Sequence, residues 1–262
     1  MPNKPLRTIF FVLAVLAPAA PAMAQSAPRT VSDRKVSTYS WIDALPAKGS
    51  RRYQDFTARR IIADCSHNCV RIQDGSERVT IEDSVFSYKG PRRKIVAGVS
   101  LVAGDVTLRN VTAQGFVQSA KYPNGDGVMA ARRTRLTVIG GAYRDNSDAG
   151  IDSKGETLLE NVVSERNGLN YRCWGDWTAG TLVSRKPVKG HFQTNPGCVA
   201  RIRHLLVEDD RPGTIFGLAK GTTLIVDRCT IRMPTGGRLI YWHPGASTAN
   251  TTVRLGPGCK AP

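Results

Sequence analysis

Residues 106–111 read VTLRNV, a strand-favouring run closed by an asparagine, and the chain keeps returning to that form. VTIEDS (79–84), LTVIGG (136–141), TLLENV (157–162), IRHLLV (202–207) and TLIVDR (223–228) share it. Each opens on three or four residues that fit a pleated, half-buried surface. Asn or Asp stands fifth in four of the six, as Asp83, Asn110, Asn161 and Asp227. Successive starts lie 27, 30, 21, 45 and 21 residues apart. A short unit lengthened by variable insertions is what a coil of strands with loops on one side produces.

A second series lies between these starts: GVSLVAG (98–104), GVMAARR (127–133), GIDSKG (150–155) and GRLIYW (237–242). Helical periodicity is scarce, and Val, Ile, Thr and Leu runs broken by Gly and Asn are everywhere. Two-residue Asn-Gly hairpins, which a sandwich of antiparallel strands would need, do not join neighbouring strands here. The expectation is one all-β solenoid domain over residues 56–262. The 45-residue interval implies a long functional loop at about 175–198. Residues 25–55 are weakly patterned and read as an N-terminal segment with a cap over the first turn.

Residues 1–24 read as a signal peptide: Lys4 and Arg7, the apolar run IFFVLAVLA (9–17), then Ala22-Met23-Ala24 at the cleavage point. The apolar run is too short to span a bilayer. The mature protein is therefore expected to be exported, periplasmic or extracellular, monomeric and without a transmembrane segment. The full chain carries +16, and removing Lys4 and Arg7 leaves 16 − 2 = +14. Such a field draws in polyanions, and export makes acidic polysaccharide a better partner than nucleic acid. A solvated basic surface with no partner would carry the same charge.

The six cysteines, an even number in an exported chain, favour disulfides over metal ligation. Neighbour pairing has a mechanical meaning. Cys173–Cys198 would close the base of the long loop, Cys229–Cys259 would tie the tail to the last turns, and Cys65–Cys69 would clip an early one.

Residues 146–156, NSDAGIDSKGE, set Asp148 and Asp152 beside Lys154 in this basic chain. Strand side chains alternate faces. Stacking the second series puts Val99, Val128 and Ile151 in one aliphatic, inward column. Asp148, Asp152 and Lys154 then face outward, close to Asp126 of the preceding turn and Arg172 of the next. Clustered carboxylates repel one another unless something offsets them. Ca²⁺ held by Asp126, Asp148 and Asp152 would do so. Pairing of Lys154 and Arg172 with the aspartates would do so as well.

NGDG at 124–127, followed by SDAGIDSKG at 147–155, resembles motifs of the pectate-lyase-like right-handed parallel β-helix superfamily. The resemblance implies a single-stranded right-handed parallel β-helix. It matches Asp126 to the first aspartate of both the lyase and the polygalacturonase patterns, and Asp148 to the first of the following pair. Asp152 matches the last aspartate of the lyase pattern, and Lys154 the lysine of the hydrolase pattern. Ala149 departs from both patterns, which place a second aspartate there, and inverting hydrolysis needs a separate acid and base. The implied reading is a lyase acting on an acidic polysaccharide by β-elimination. Arg172, Lys154 and Asp148 would be catalytic, and the long loop would bring Trp174, Trp177, Lys186, Lys189 and His191 to the substrate. A polygalacturonase-like hydrolase and a non-catalytic polyanion-binding β-helix of the cell envelope are the alternatives.

Overall fold

The computed structural model describes residues 29–38, 42–43, 54–91, 95–117 and 124–262. The region read as a signal peptide lies outside them. The described residues form a parallel β-helix of about eight turns with no helix among them. Every strand pairing is parallel, as the repeat implied.

Each turn lays one short strand on each of three faces. Gln54–Cys65, Val96–Arg109, Gly125–Ile139, Asp176–Arg185 and Val199–Glu208 bend through a corner, so each serves two faces. Three of the four fifth-position residues stand where the chain turns from one face to the next on left-handed backbone. Asp83, Asn110 and Asn161 hold φ of 48°, 51° and 55°, and Gly140 takes 67° at the register position between the last two. Left-handed backbone is tolerated best by Gly, Asn and Asp. The corner is also laddered through side chains, since Asn110 Nδ2 donates to Asp83 Oδ1 at 3.0 Å.

The core is a set of stacked files. Val70, Val99, Val128, Ile151, Tyr171, Phe192 and Phe216 are register partners one above another, each with 1% exposure or less. Aliphatics fill the early turns and rings the later ones, with Trp177 edge-on to Phe192 at 5.8 Å. Fully burying such a side chain stabilises by about 1.5–3 kcal/mol, so the files carry much of the fold's stability.

Two expectations need correction. Residues 175–198 are not a long loop. They contain the strands Asp176–Arg185 and Gly190–Thr194, a complete turn, and in register Thr157 is followed by Trp177 and then Ala200. The turn escaped the repeat because Trp177 and Ala179 replace the aliphatics, and because Gly180 stands where a Cβ would run into the Glu160 carboxylate. The coil also begins before residue 56. Arg29–Thr38 pairs in parallel with Gln54–Cys65, adding a strand to the stack within the segment read as a cap.

All three neighbour-paired disulfides are present, Cys65–Cys69, Cys173–Cys198 and Cys229–Cys259. Cys173–Cys198 therefore staples one turn to the next rather than closing a loop.

Candidate functional site

On one face, the strands Gly125–Ile139, Ala149–Ser153 and Leu169–Cys173 lie side by side, and Met129, Asp152 and Arg172 are register partners. The backbone holds Asp148 just ahead of the second strand. Its N–H donates to Gly125 O at 2.8 Å, and its carbonyl accepts from Leu169 N at 2.6 Å. The Ala149 N–H donates to Asp126 Oδ1 at 2.8 Å. Where the resemblance places a second aspartate, this chain offers an amide to the carboxylate of the previous turn.

Arg172 closes the cluster. Its guanidinium donates to both oxygens of Asp148, at 2.6 and 2.8 Å, and to Asp152 Oδ2 at 3.1 Å. Bidentate guanidinium–carboxylate pairs are among the strongest hydrogen-bonded contacts in proteins. Asp126, Asp148 and Asp152 are 0%, 3% and 5% exposed. Burial, then the neighbouring Asp152 and Asp148, push the Asp126 carboxyl well above the usual carboxylate range. Burial also raises Asp152, against the opposing pull of Arg172. For Arg172, burial works against the charge, but its bonds to Asp148 and the fields of Asp148 and Asp152 prevail and raise its pKa. Within the cluster, three buried polar atoms have no hydrogen-bond partner: Asp126 Oδ2, Asp152 Oδ1 and Arg172 Nε.

The three aspartates place oxygens within 4.8 Å of one another, a spacing at which a cation could be held. Ca²⁺ takes six to eight oxygens. Here both Asp148 oxygens and one of Asp152 are bonded to Arg172, Ala149 contributes none, and a guanidinium already stands as the counter-cation. As folded, the set does not fit Ca²⁺.

The structure thus brings Asp126, Asp148, Asp152 and Arg172 together. Lys154 lies at their edge, with Nζ 5.3 Å from the Trp174 ring centroid. Three of the remaining residues expected on a substrate-covering loop are elsewhere. Trp177 is 1% exposed in the core and donates from Nε1 to Ser153 O at 3.3 Å. His191 is buried inside the coil with Nδ1 2.8 Å from Ser184 Oγ. Lys186 pairs with Asp210 at 2.7 Å. All three assignments rested on a loop that is a turn of the coil.

Sequence reasoning missed the hollows on either side of the cluster. One, of about 470 Å³, is lined by His67, Arg71, Ser100, Met129 and Lys154. The other, of about 190 Å³, is lined by Lys189, Gln193, Gly217, Tyr241 and His243. The second series held part of the signal: its Ser100, Met129, Asp152 and Tyr241 join Arg71, Arg172, Gln193 and Gly217 in one continuous outward file.

No protein-family model and no curated protein matches the chain. Among solved structures it is similar to PfbA, a surface adhesin of Streptococcus pneumoniae, at 10% identity and a TM-score of 0.39, over 84% of this chain and 73% of that one.

Proposed function

We propose that the chain is a non-catalytic β-helix protein that binds an acidic polysaccharide along this outward file. One observation carries the reading: the carboxylates of the face are buried beneath Arg172, while Arg71, Lys154 and Lys189 line the hollows beside them. A face whose acids are buried and offset in part by one guanidinium, and whose hollows are lined by cations, suits a polymer of uronates. The rigid stack spaces successive side chains about 4.8 Å apart, which suits a repeating ligand. Three disulfides fit an oxidising compartment outside the cytoplasm, where export through residues 1–24 would deliver the chain.

A second reading, polysaccharide cleavage by β-elimination or hydrolysis, is favoured by the unpartnered Asp126 Oδ2 and Asp152 Oδ1, on two carboxyls that burial pushes above the usual range. One experiment separates the two. Binding of polygalacturonate, alginate and a glucuronate polymer is measured by calorimetry over a salt series, with neutral dextran as control. The same mixtures are assayed for unsaturated uronates and new reducing ends. Binding that weakens steadily with salt, without either product, is expected. Unsaturated uronates would make the protein a lyase, and reducing ends alone a hydrolase. No binding to any acidic polymer at low salt would overturn the proposal.

A further inference from the structure

Beyond Arg172, the outward file continues through Gln193 and Gly217 to Tyr241, one strand at a time. At about 4.8 Å per strand, Tyr241 stands roughly 14 Å from Arg172 along the coil. The hollow of about 190 Å³ opens here, and its floor is Gly217. A Cβ on Gly217 would lie 3.2 Å from His243 Nε2 and 3.6 Å from Gln193 Cγ, so the missing side chain is what keeps the floor open.

The walls are chemically specific. Tyr241 is 39% exposed, high for a large ring, and is held edge-on against His243 with centroids 5.1 Å apart. Arg238 sits 5.6 Å from the same ring centroid and adds a cation at its rim. His243 Nε2 is buried and has no hydrogen-bond partner, and it faces the Gly217 floor. Gln193 contributes an amide, with donors and an acceptor, and Lys189 an ammonium.

We propose that this hollow is a subsite for a single uronate residue. The apolar face of the sugar would lie on Tyr241, its hydroxyls would meet Gln193 and the open His243 Nε2, and its carboxylate would meet Lys189. An exposed ring with an apolar face beside a few convergent polar groups is the usual chemistry of such a recognition site. The inference rests on the polysaccharide reading and deepens it, because it names a contact that discriminates uronate from neutral sugar.

The test uses the full chain with oligouronates cut from the best-binding polymer, matched neutral oligosaccharides, and free uronate monosaccharide. Tyr241→Ala and Gly217→Ala are compared with the unsubstituted protein by calorimetry. The His243 ring signals are followed by nuclear magnetic resonance as monosaccharide is added. The expected result is at least a tenfold loss of oligouronate affinity in Tyr241→Ala and a smaller loss in Gly217→Ala. Unfolding transitions should be unchanged, and the His243 signals should move with uronate but not with neutral sugar. Polymer binding that persists with both variants at full affinity and His243 unmoved would overturn the subsite alone. Equal response to neutral sugar would overturn the uronate assignment. Failure of the unsubstituted protein to bind any acidic polymer would overturn the polysaccharide reading and the subsite with it.

Discussion

Two buried polar clusters lie close together, one on the outer surface of the coil and one inside its corner. The outer one is Asp126, Asp148 and Asp152 with Arg172. The inner one is Asn146, Ser164, Asn167, Asn170, Ser184 and His191, all at most 2% exposed. Asn167 is its centre: Oδ1 accepts from the backbone N–H and Nδ2 of Asn146 at 3.0 and 2.9 Å, while Nδ2 donates to Tyr143 O at 2.9 Å and Asn170 Oδ1 at 3.0 Å. Asn170 Nδ2 passes the chain on to Ser184 Oγ at 2.8 Å, and Ser184 meets His191. The inner set leaves one side-chain atom without a hydrogen bond, His191 Nε2, which stands 3.5 Å from Asp209 Oδ2, and the outer set leaves three. Amides carry donors and acceptors together, so a stacked file of them satisfies itself without charge. Ionised carboxylates only accept. They need an imported donor, and one arginine does not cover six oxygens. Unspent hydrogen-bonding capacity therefore collects on the outer face.

The comparison makes quantitative demands. Replacing Arg172 with Met strands Asp148 and Asp152 as buried carboxylates without a counter-charge. A loss of about 4 kcal/mol in urea unfolding at pH 7 is expected, and a loss below about 1 kcal/mol would mean that the arginine does not hold the outer cluster together. Asn167→Leu removes the inner hub and leaves several buried groups unmatched. About 3 kcal/mol should be lost, and the loss should be nearly independent of salt, because no charge is involved.

The two clusters should also respond to pH in opposite directions. Burial drives His191 down from 6.5 to about 4, so the folded state resists taking up its proton. Its contribution is whole above pH 6.5 and is lost as pH falls toward 4, at up to about 1.4 kcal/mol per pH unit. His191→Asn should flatten that acid limb in thermal unfolding, and an unchanged limb would assign it to other groups. Asp126 is raised, so the unfolded chain releases its proton first. Stability drains as pH rises above the ordinary carboxylate value of 3.8 toward the folded one. Asp126→Asn keeps an Oδ1 acceptor for the Ala149 amide and removes the titration. The variant should gain on the unsubstituted protein as pH rises above 3.8. A gap that does not widen would show that Asp126 ionises as an ordinary carboxylate.

Much of this was legible along the chain. The period-two aliphatic column was readable because Val99, Val128 and Ile151 repeat the same neighbours, and parallel register follows from that repeat. Asp83, Asn110, Asn161 and Asp227 stood out as recurring fifth-position residues, and the structure puts the first three on left-handed backbone. Asp126, Asp148, Asp152 and Arg172 could be gathered because strand alternation places side chains from successive turns next to one another. Trp177 and His191 were misplaced because a missing aliphatic pattern was taken for a missing strand. An aromatic or a histidine fills the interior as well as a leucine does once its neighbours leave room, and one-dimensional pattern does not record that room.

By itself, the sequence determined the parallel coil, its inward files, the neighbour pairing of its cysteines and the gathering of one acidic cluster with its arginine. These follow from local periodicity and from the rule that each residue sits beside its counterpart one turn away. Only the tertiary structure decided that Arg172 binds Asp148 and Asp152, that Gly217 and Tyr241 line one hollow, and that Asn167 threads an uncharged ladder through the interior. Those outcomes depend on distances of a few tenths of an ångström between side chains from different turns and on how deeply each is screened from water, quantities that exist only once the turns are stacked.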